Sequence, residues 1–345
     1  MQTGSSDRPL VSICMAAYNA ESVLGTTLES LLRQTYGNFE LIVFNNGSTD
    51  GTANVMATIR DPRVRTLHGT PNIGGYQGMN KVVREARGEF VAIYHADDVY
   101  EPTMIETEVA CLQAHPRVGA VLTMDYFIDD DGKRFGQATL PREFQGRPYL
   151  TYAEVFPFLV RNKNTLFCCP TFMGRRSVMD AVGPFAPEIF DIGSDEEYYL
   201  RIIRQYPIAI LPDRLVNYRV SRRQWSSRYR RLRTEEERHF QVIEHYMELD
   251  GWRDRLSPSA LREYAFHKCD DETFRAANWL IQGDVDQARN LLERPYPWST
   301  FLVNTRRRKL RVMLLRALMH LGLGLRTYRA LARLLVRTEY GGQLA

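Results

Sequence analysis

Apolar positions in the first hundred residues fall into short dense runs separated by polar stretches of helical period. The run from Leu10 to Ala16, ending at Tyr18-Asn19, reads as a buried parallel strand followed by a loop. Val23, Leu24, Leu28, Leu31 and Leu32 then share one helical face, and Gln34-Thr35-Tyr36-Gly37-Asn38 punctuates the chain before a strand from Phe39 to Phe44. The pattern recurs: a turn at Asn45-Asn46-Gly47-Ser48, a helix from Thr52 to Ile59, a strand from Val64 to Leu67, a helix opened by Gly74-Gly75, and a strand from Phe90 to Tyr94. Strands alternating with helices predict a mostly parallel sheet flanked by helices, because parallel neighbours need crossover connections. Ligands of such sheets bind beyond the carboxyl ends of the strands, so the loops after Met15, Phe44 and Tyr94 should converge on a site.

Beyond Tyr149 the pattern is less regular. Strands are expected over Phe167 to Met173, Ile208 to Leu211 and Leu215 to Val220, with a helix from Glu196 to Ile203 between them. After Ser227 helical period takes over: Thr234 to Leu249, Pro258 to Ile281, Val285 to Glu293 and Arg306 to Val336. The expected organisation is a catalytic domain over residues 1–230 and a helical region over 231–345. At 345 residues, 44% of them apolar and 25% charged, the chain has the composition of an ordinary globular protein.

Charge sharpens this division. Ten basic residues (Arg306, Arg307, Arg308, Lys309, Arg311, Arg316, Arg326, Arg329, Arg333 and Arg337) occur with no Asp or Glu among them, leaving 35 basic against 41 acidic residues elsewhere. The segment 306–337 is therefore read as basic and amphipathic. Arg311, Arg316, His320, Gly322 and Gly324 interrupt it too often for a spanning helix. It predicts either a helix packed on the body or an in-plane helix whose arginines meet an anionic membrane surface. Nucleic acid is not expected as a partner, because Tyr328 alone supplies an aromatic ring between Arg306 and Val336. The first ten residues lack an apolar leader core, which predicts a cytoplasmic protein, with a peripheral place at the inner face of a membrane as the alternative. Five scattered cysteines, Cys14, Cys111, Cys168, Cys169 and Cys269, fit reduced thiols, with Cys168-Cys169 expected as small buried apolar groups.

The chemistry concentrates at Asp97-Asp98, two carboxylates just past a buried strand. Hard divalent cations such as Mg2+ take one or two carboxylates together with substrate phosphates. A turn or helix cap would explain the pair equally well. Its company decides between them. Ser12 to Glu21, Ser30 to Tyr36, Asn45 to Thr52, Asn72-Ile73-Gly74 with Asn80, and Gly88 to Asp98 with Pro102 resemble, in order and spacing, the successive motifs of family 2 glycosyltransferases over roughly residues 9 to 220.

This resemblance implies a GT-A fold, a Rossmann-like sheet carrying a C-terminal helical extension. It also implies sugar transfer from a nucleoside diphosphate donor, commonly UDP-linked, to a glycan or lipid-linked hydroxyl, with inversion and with a divalent metal, Mn2+ or Mg2+. Carried over to this chain, the donor site comprises Ala17, Tyr18, Glu21, Asn45, Asn46, Ser48, Asn72, Gly74, Asn80 and Asp97, with Asp98 and Asp97 at the metal. Asp98 is expected as the direct ligand and Asp97 nearer the ribose or sugar. Tyr18 offers a ring for base stacking, while Glu21 and the amides of Asn45 and Asn46 can hydrogen-bond base or ribose.

Ile192 to Arg201 resembles the family's acidic motif, and Asp195 stands where that motif places its general base. Asp191 and Glu196 are fallback bases, and a helix-capping role for Asp195 is the structural alternative. The chain departs from the usual pattern at Asn45-Asn46, at Met79, at Ser194 and at His95, which is expected as a strand-end histidine with its ring satisfied. Lys81 is read first as a surface lysine and second as a compensating charge at the phosphates, Asp125 follows an expected strand and is read equally as a turn or surface residue or as a contact to the donor sugar, and Arg222-Arg223-Gln224-Trp225 is a candidate closing loop. Two alternatives to transfer are a catalytically impaired nucleotide-sugar binding protein and a nucleotidyltransferase of similar fold.

Overall fold

A computed structural model describes residues 8–221, 233–302, 306–324, 327 and 330. The chain divides into two compact units, Met1–Val155 with Leu166–Arg222 and Phe156–Thr165 with Arg223–Ala345. The expected boundary near residue 230 and the candidate loop at 222–225 both lie outside the described residues.

In the first unit nine strands form one sheet: β1 (Val11–Ala17), β2 (Phe39–Asn46), β3 (Val64–Gly69), β4 (Phe90–Ile93), β5 (Val99–Tyr100), β6 (Ala120–Ile128), β7 (Arg134–Gln137), β8 (Phe172–Arg175) and β9 (Ile208–Arg219). The order is β3-β2-β1-β4-β8-β6-β9-β5, with β7 paired to β6. The long pairings are parallel, β1 with β2 and β4, β2 with β3 and β6 with β9. Antiparallel partners enter at β8, which joins β4 to β6. Every residue of β2 and β4 is buried, as expected of strands covered on both faces. Helices Leu24–Leu32 and Gly75–Arg84 supply two of the crossovers. The second of these comes close to the sheet because Gly78 has no side chain: a Cβ there would stand 2.9 Å from Asn46 Nδ2.

Three of the expected strands differ in the structure. Phe167 to Met173 is not a single strand; Cys169–Thr171 forms a 3-10 turn and pairing begins at Phe172, consistent with Pro170 having no N–H to donate to a ladder. The two strands expected between Ile208 and Val220 are instead one, β9, whose register against β6 slips at Thr123, Met124 and Asp125. Pro212-Asp213 lies in this irregularity, where a missing donor is tolerated.

The second unit is helical. Ser257 accepts the Ala260 N–H to begin Pro258–Gln282, which ends on left-handed Gly283, and Asp284 accepts the Gln287 N–H to begin Val285–Leu292. Arg306–Gly324 follows, its inner residues Leu315, Met319 and Leu323 packing with Ala276, Leu280 and Leu291. Of the expected helix beyond Gly324, residues 327 and 330 alone are described.

Candidate active site

The chain order of the strands reverses between β1 and β4, so their carboxyl ends open a crevice of the kind in which nucleotides bind. Ala17 ends β1, and Tyr18 follows with its side chain half exposed. The loops here are tied to one another. The Asn19 N–H donates to Ser48 Oγ at 3.0 Å, Asn19 Oδ1 accepts the Thr49 N–H at 2.8 Å, Glu21 Oε2 accepts the Gly51 N–H at 3.0 Å and Asp50 accepts the Glu21 N–H at 3.1 Å. Gly47 adopts φ +75°, and a Cβ there would meet the Asn72 amide nitrogen at 2.6 Å, so only glycine fits.

The two asparagines at the end of β2 face different duties. Asn45 Oδ1 accepts the Ser48 N–H at 3.0 Å. Asn46, 2% exposed, spends its amide on the 72–74 loop: Nδ2 donates to Asn72 Oδ1 and the Gly74 carbonyl, and Oδ1 accepts the Ile73 N–H. Asn72 Oδ1 also takes the Gly74 N–H at 2.8 Å. Asn80 is clamped to the Phe185 backbone, donating to its carbonyl at 2.9 Å and accepting its N–H at 3.0 Å. This buried two-bond clamp gives Asn80 a structural duty at the expected donor site. The Lys81 ammonium lies 4.6 Å from the centre of the Phe44 ring.

At the end of β4 the acidic pair divides by burial. Asp98 is fully buried: Oδ1 accepts the Arg219 N–H at 2.7 Å, and Oδ2 has no hydrogen-bond partner. Such an orphaned buried carboxylate oxygen is costly unless a cation or proton meets it. His95 Nδ1 lies 3.9 Å from that oxygen, and ligand atoms of His95, Asp97 and Asp98 all lie within 4.8 Å of one another. The His95 ring thus stands with the two carboxylates. Burial raises the Asp98 carboxyl well above its ordinary range, with Asp97 adding to the effect, and burial lowers the His95 imidazole, favouring its neutral, metal-ligating form. Two carboxylates and an imidazole suit a divalent metal.

Arg219 holds this cluster from β9. Besides its N–H on Asp98, its Nε donates to the Asp97 carbonyl at 2.8 Å and its Nη1 to the carbonyls of Asp129 and Asp130 at 2.7 and 3.0 Å. Sequence reasoning missed Arg219, since nothing local distinguishes it from other strand residues. Asp125 does not follow a strand but sits inside β6 opposite Val216; it is 2% exposed, its Oδ2 has no hydrogen-bond partner, and burial pushes its carboxyl up to about 6.

Asp195 occupies the first turn of helix Ser194–Ile203, where its Oδ1 accepts the Glu196 N–H at 2.8 Å. Burial raises its carboxyl to about 6, opposed by hydrogen bonds from the Glu196 amide and the Tyr76 side chain. The helix is anchored by Arg201, which pairs with Glu197 at 2.7 Å and donates to the Val182 and Pro184 carbonyls. Cys168 and Cys169 are half-buried rather than fully buried. Burial and the charges of Asp98, Asp125 and Asp195 keep the Cys168 thiol protonated.

A Rossmann-like sheet with an acidic cluster at the reversal of strand order, a carboxylate at a nearby helix start and an exposed ring beyond β1 define a GT-A glycosyltransferase. The chain is a member of glycosyl transferase family 2, whose family model matches residues 12–183. A Haemophilus influenzae protein described as an uncharacterized glycosyltransferase is 26% identical over 228 residues, 64% of this chain and 68% of its own length. The Escherichia coli UDP-Glc:alpha-D-GlcNAc-diphosphoundecaprenol beta-1,3-glucosyltransferase WfaP is 29% identical over 146 residues, 42% of this chain and 57% of that protein. Among solved structures, the mannosyltransferase PcManGT of Pyrobaculum calidifontis with GDP-Man and Mn2+ aligns with TM-score 0.51 at 18% identity, over 98% of this chain and 88% of that one. TarS 1-349 of S. aureus with UDP-GlcNAc aligns with TM-score 0.52 at 17% identity, over 81% of this chain and 90% of that one.

Proposed function

We propose that the chain transfers a sugar, with inversion, from a UDP-linked donor to a hydroxyl of a glycan or lipid-linked glycan. The observation that carries this reading is the buried Asp98 Oδ2, which has no hydrogen-bond partner beside His95 and Asp97. Asp98, Asp97 and His95 are the residues that would hold Mn2+ or Mg2+, whose chemistry there is neutralisation of charge gathering on the departing diphosphate. Tyr18 stacks on the base, Glu21, Asn45 and Ser48 line the ribose side, and Ala17, Asn72 and Gly74 shape the wall. Asn46 acts through the 72–74 loop it holds. Asp195 takes the proton of the acceptor hydroxyl as that oxygen bonds to the anomeric carbon and the bond to the diphosphate breaks. A carboxyl near 6 is ionised at neutral pH yet basic enough to accept that proton. Two relatives favour these partners: WfaP is named for UDP-Glc and a diphosphoundecaprenol-linked acceptor, and TarS is bound to UDP-GlcNAc.

The test is a panel of UDP- and GDP-sugars, each scored for Mn2+-dependent transfer and for a rise in unfolding temperature. Asp195→Asn should lower kcat by about 10²- to 10⁴-fold while the donor-induced thermal shift persists. If binding and turnover fall together, Asp195 is not the base. If no nucleoside diphosphate sugar shifts unfolding in the presence of metal, the donor site itself is misassigned.

A further inference from the structure

Three strands bring their carboxyl ends to one edge of the sheet. β1 runs parallel to β4, and β8 is antiparallel to both β4 and β6, so β6 ends on the same edge as the other two. Tyr18 follows β1, the Asp97-Asp98 pair follows β4, and the final stretch of β6 carries Asp125 and Phe127. Among the described residues of the first unit two aromatic side chains are exposed, Tyr18 at 48% and Phe135 at 58%. In the strand order they flank the acidic cluster, Tyr18 beyond β1 and Phe135 on β7 beside β6. The proposed donor site uses only the first of them.

Side chains alternate along a strand, so Asp125 and Phe127, in unbroken register with β9, share one face of β6 about 7 Å apart. That face turns toward the reaction centre: the Cys168 thiol hydrogen-bonds Asp125 and also feels the charges of Asp98 and Asp195. The opposite face is closed by arginines, Arg134 at 3.9 Å and Arg214 at 5.8 Å from the centre of the Tyr126 ring.

The hairpin from β6 into β7 is shaped to present aromatic surface on the first face. Tyr126 pairs with Gln137 and Phe127 with Gly136, but Ile128 pairs with Arg134, so Phe135 is the extra residue of a bulge. Bulges re-aim side chains in this way. The Phe127 ring lies against Gly136, where a Cβ would stand 2.9 Å from Phe127 Cδ2. Phe135 stands beside it, with ring centres 6.2 Å apart and planes inclined by 34°. Exposure rises along this path, from buried Asp125 through half-buried Phe127 to open Phe135.

An open aromatic step next to a carboxylate matches the chemistry of a pyranose, whose faces carry C–H groups and whose rim carries hydroxyls. The donor sugar has to sit where Asp98 and Asp195 converge. Phe127 and Phe135 lie further out, on the side of the acidic cluster away from Tyr18, which assigns the step to the acceptor.

We propose that Phe127 and Phe135 form an acceptor subsite, which stacks one pyranose of a glycan while the neighbouring sugar presents its hydroxyl to Asp195. The proposal rests on the transfer reading above and deepens it, since it makes the acceptor an oligosaccharide of at least two sugars. The experiment uses the full chain, with methyl glycosides of single pyranoses and of β-linked disaccharides of glucose, galactose and N-acetylglucosamine as probes. Binding is read by saturation-transfer NMR, and the rise in unfolding temperature caused by UDP with Mn2+ is followed beside it. A disaccharide should bind, and its single sugars should bind more weakly. Phe135→Ala should weaken disaccharide binding by roughly three- to tenfold with an unchanged unfolding temperature. Phe135→Leu should lose as much, because it keeps apolar area without a flat ring, and Phe135→Tyr should restore binding. The UDP effect should be the same in every variant. Absence of disaccharide binding overturns the subsite; if UDP still raises the unfolding temperature, the transfer reading survives that failure. Full binding by Phe135→Leu overturns it as well, and a UDP effect that falls with Phe135→Ala does so by assigning the ring to the donor. So does a dimer that Phe135→Ala dissociates, which assigns the step to a second copy.

Discussion

Both units contain paired buried carboxylates, Glu197 with Arg201 in the first among them, but they differ in the carboxylates left partly unpartnered. In the second unit Lys309 meets Glu263, Asp271 is held between Arg233 and Arg275, and Glu272 meets Arg294 and lies 4.0 Å from Arg316. In the first unit three buried carboxylates, Asp98, Glu108 and Asp125, each keep an oxygen without a hydrogen-bond partner. Paired charges there fix helices against one another; the unpartnered ones cost free energy that only a proton, cation or substrate can recover. Glu108 shows the limit of the rule, since Tyr94 Oη donates to its other oxygen at 2.5 Å. Burial holds its carboxyl well above the ordinary range, opposed by the Tyr94 hydroxyl.

The largest effect should come from breaking a compensated charge. Lys309→Ala leaves Glu263 without its ammonium, at a cost of about 3–5 kcal/mol by chemical denaturation. Lys309→Met/Glu263→Gln should recover most of that loss, because neither charge then remains. A double variant as unstable as Lys309→Ala would show that packing of the lysine stem, rather than its charge, holds the helix.

That contrast was only partly legible in the sequence. Strands β1 to β4 and their crossover helices could be read because continuous apolar runs and a 3.6-residue period alternate cleanly, and Asp97, Asp98 and Asp195 follow from motif spacing. The pairing of β9 with β6 could not be read, because Pro212-Asp213 breaks the local pattern while tertiary pairing carries the strand through it. Arg219 was invisible for the same reason: its value lies in a backbone N–H placed against Asp98, which no side-chain pattern encodes. The tail misled in another way. Lys309 and Arg316 look like surface charge in a composition count, yet the fold buries both.

A smaller effect separates the uncompensated carboxylates. Asp125 is held up at about 6, above its ordinary value near 4. The folded state therefore keeps a proton that the unfolded chain has released, so stability falls as pH rises from about 4 to above 6, by on the order of 3 kcal/mol in total. Asp125→Asn removes this titration. Its denaturation free energy should be flatter than that of the natural chain between about pH 4 and 6, by up to roughly one proton in slope, with the two slopes converging above pH 7. Identical slopes would mean that Asp125 is compensated after all and belongs with the carboxylates of the second unit.

The finest test concerns Asp195, raised by burial yet held down in part by the Tyr76 hydroxyl. A hydrogen bond donated to a carboxylate stabilises its charged form, so its removal raises the carboxyl further. Tyr76→Phe keeps the ring that packs 5.3 Å from Phe185 and deletes only the hydroxyl, whose one proton is shared between Asp195 and the Ile192 carbonyl. With Asp195 as the base, kcat/KM should fall on the acid side with a midpoint of about 6, and Tyr76→Phe should move that midpoint upward by a few tenths of a pH unit with the alkaline plateau unchanged. A plateau that drops while the midpoint stays fixed would assign Tyr76 to holding the 192–195 turn. A midpoint that neither variant nor natural chain shows near 6 would leave the proton with another group.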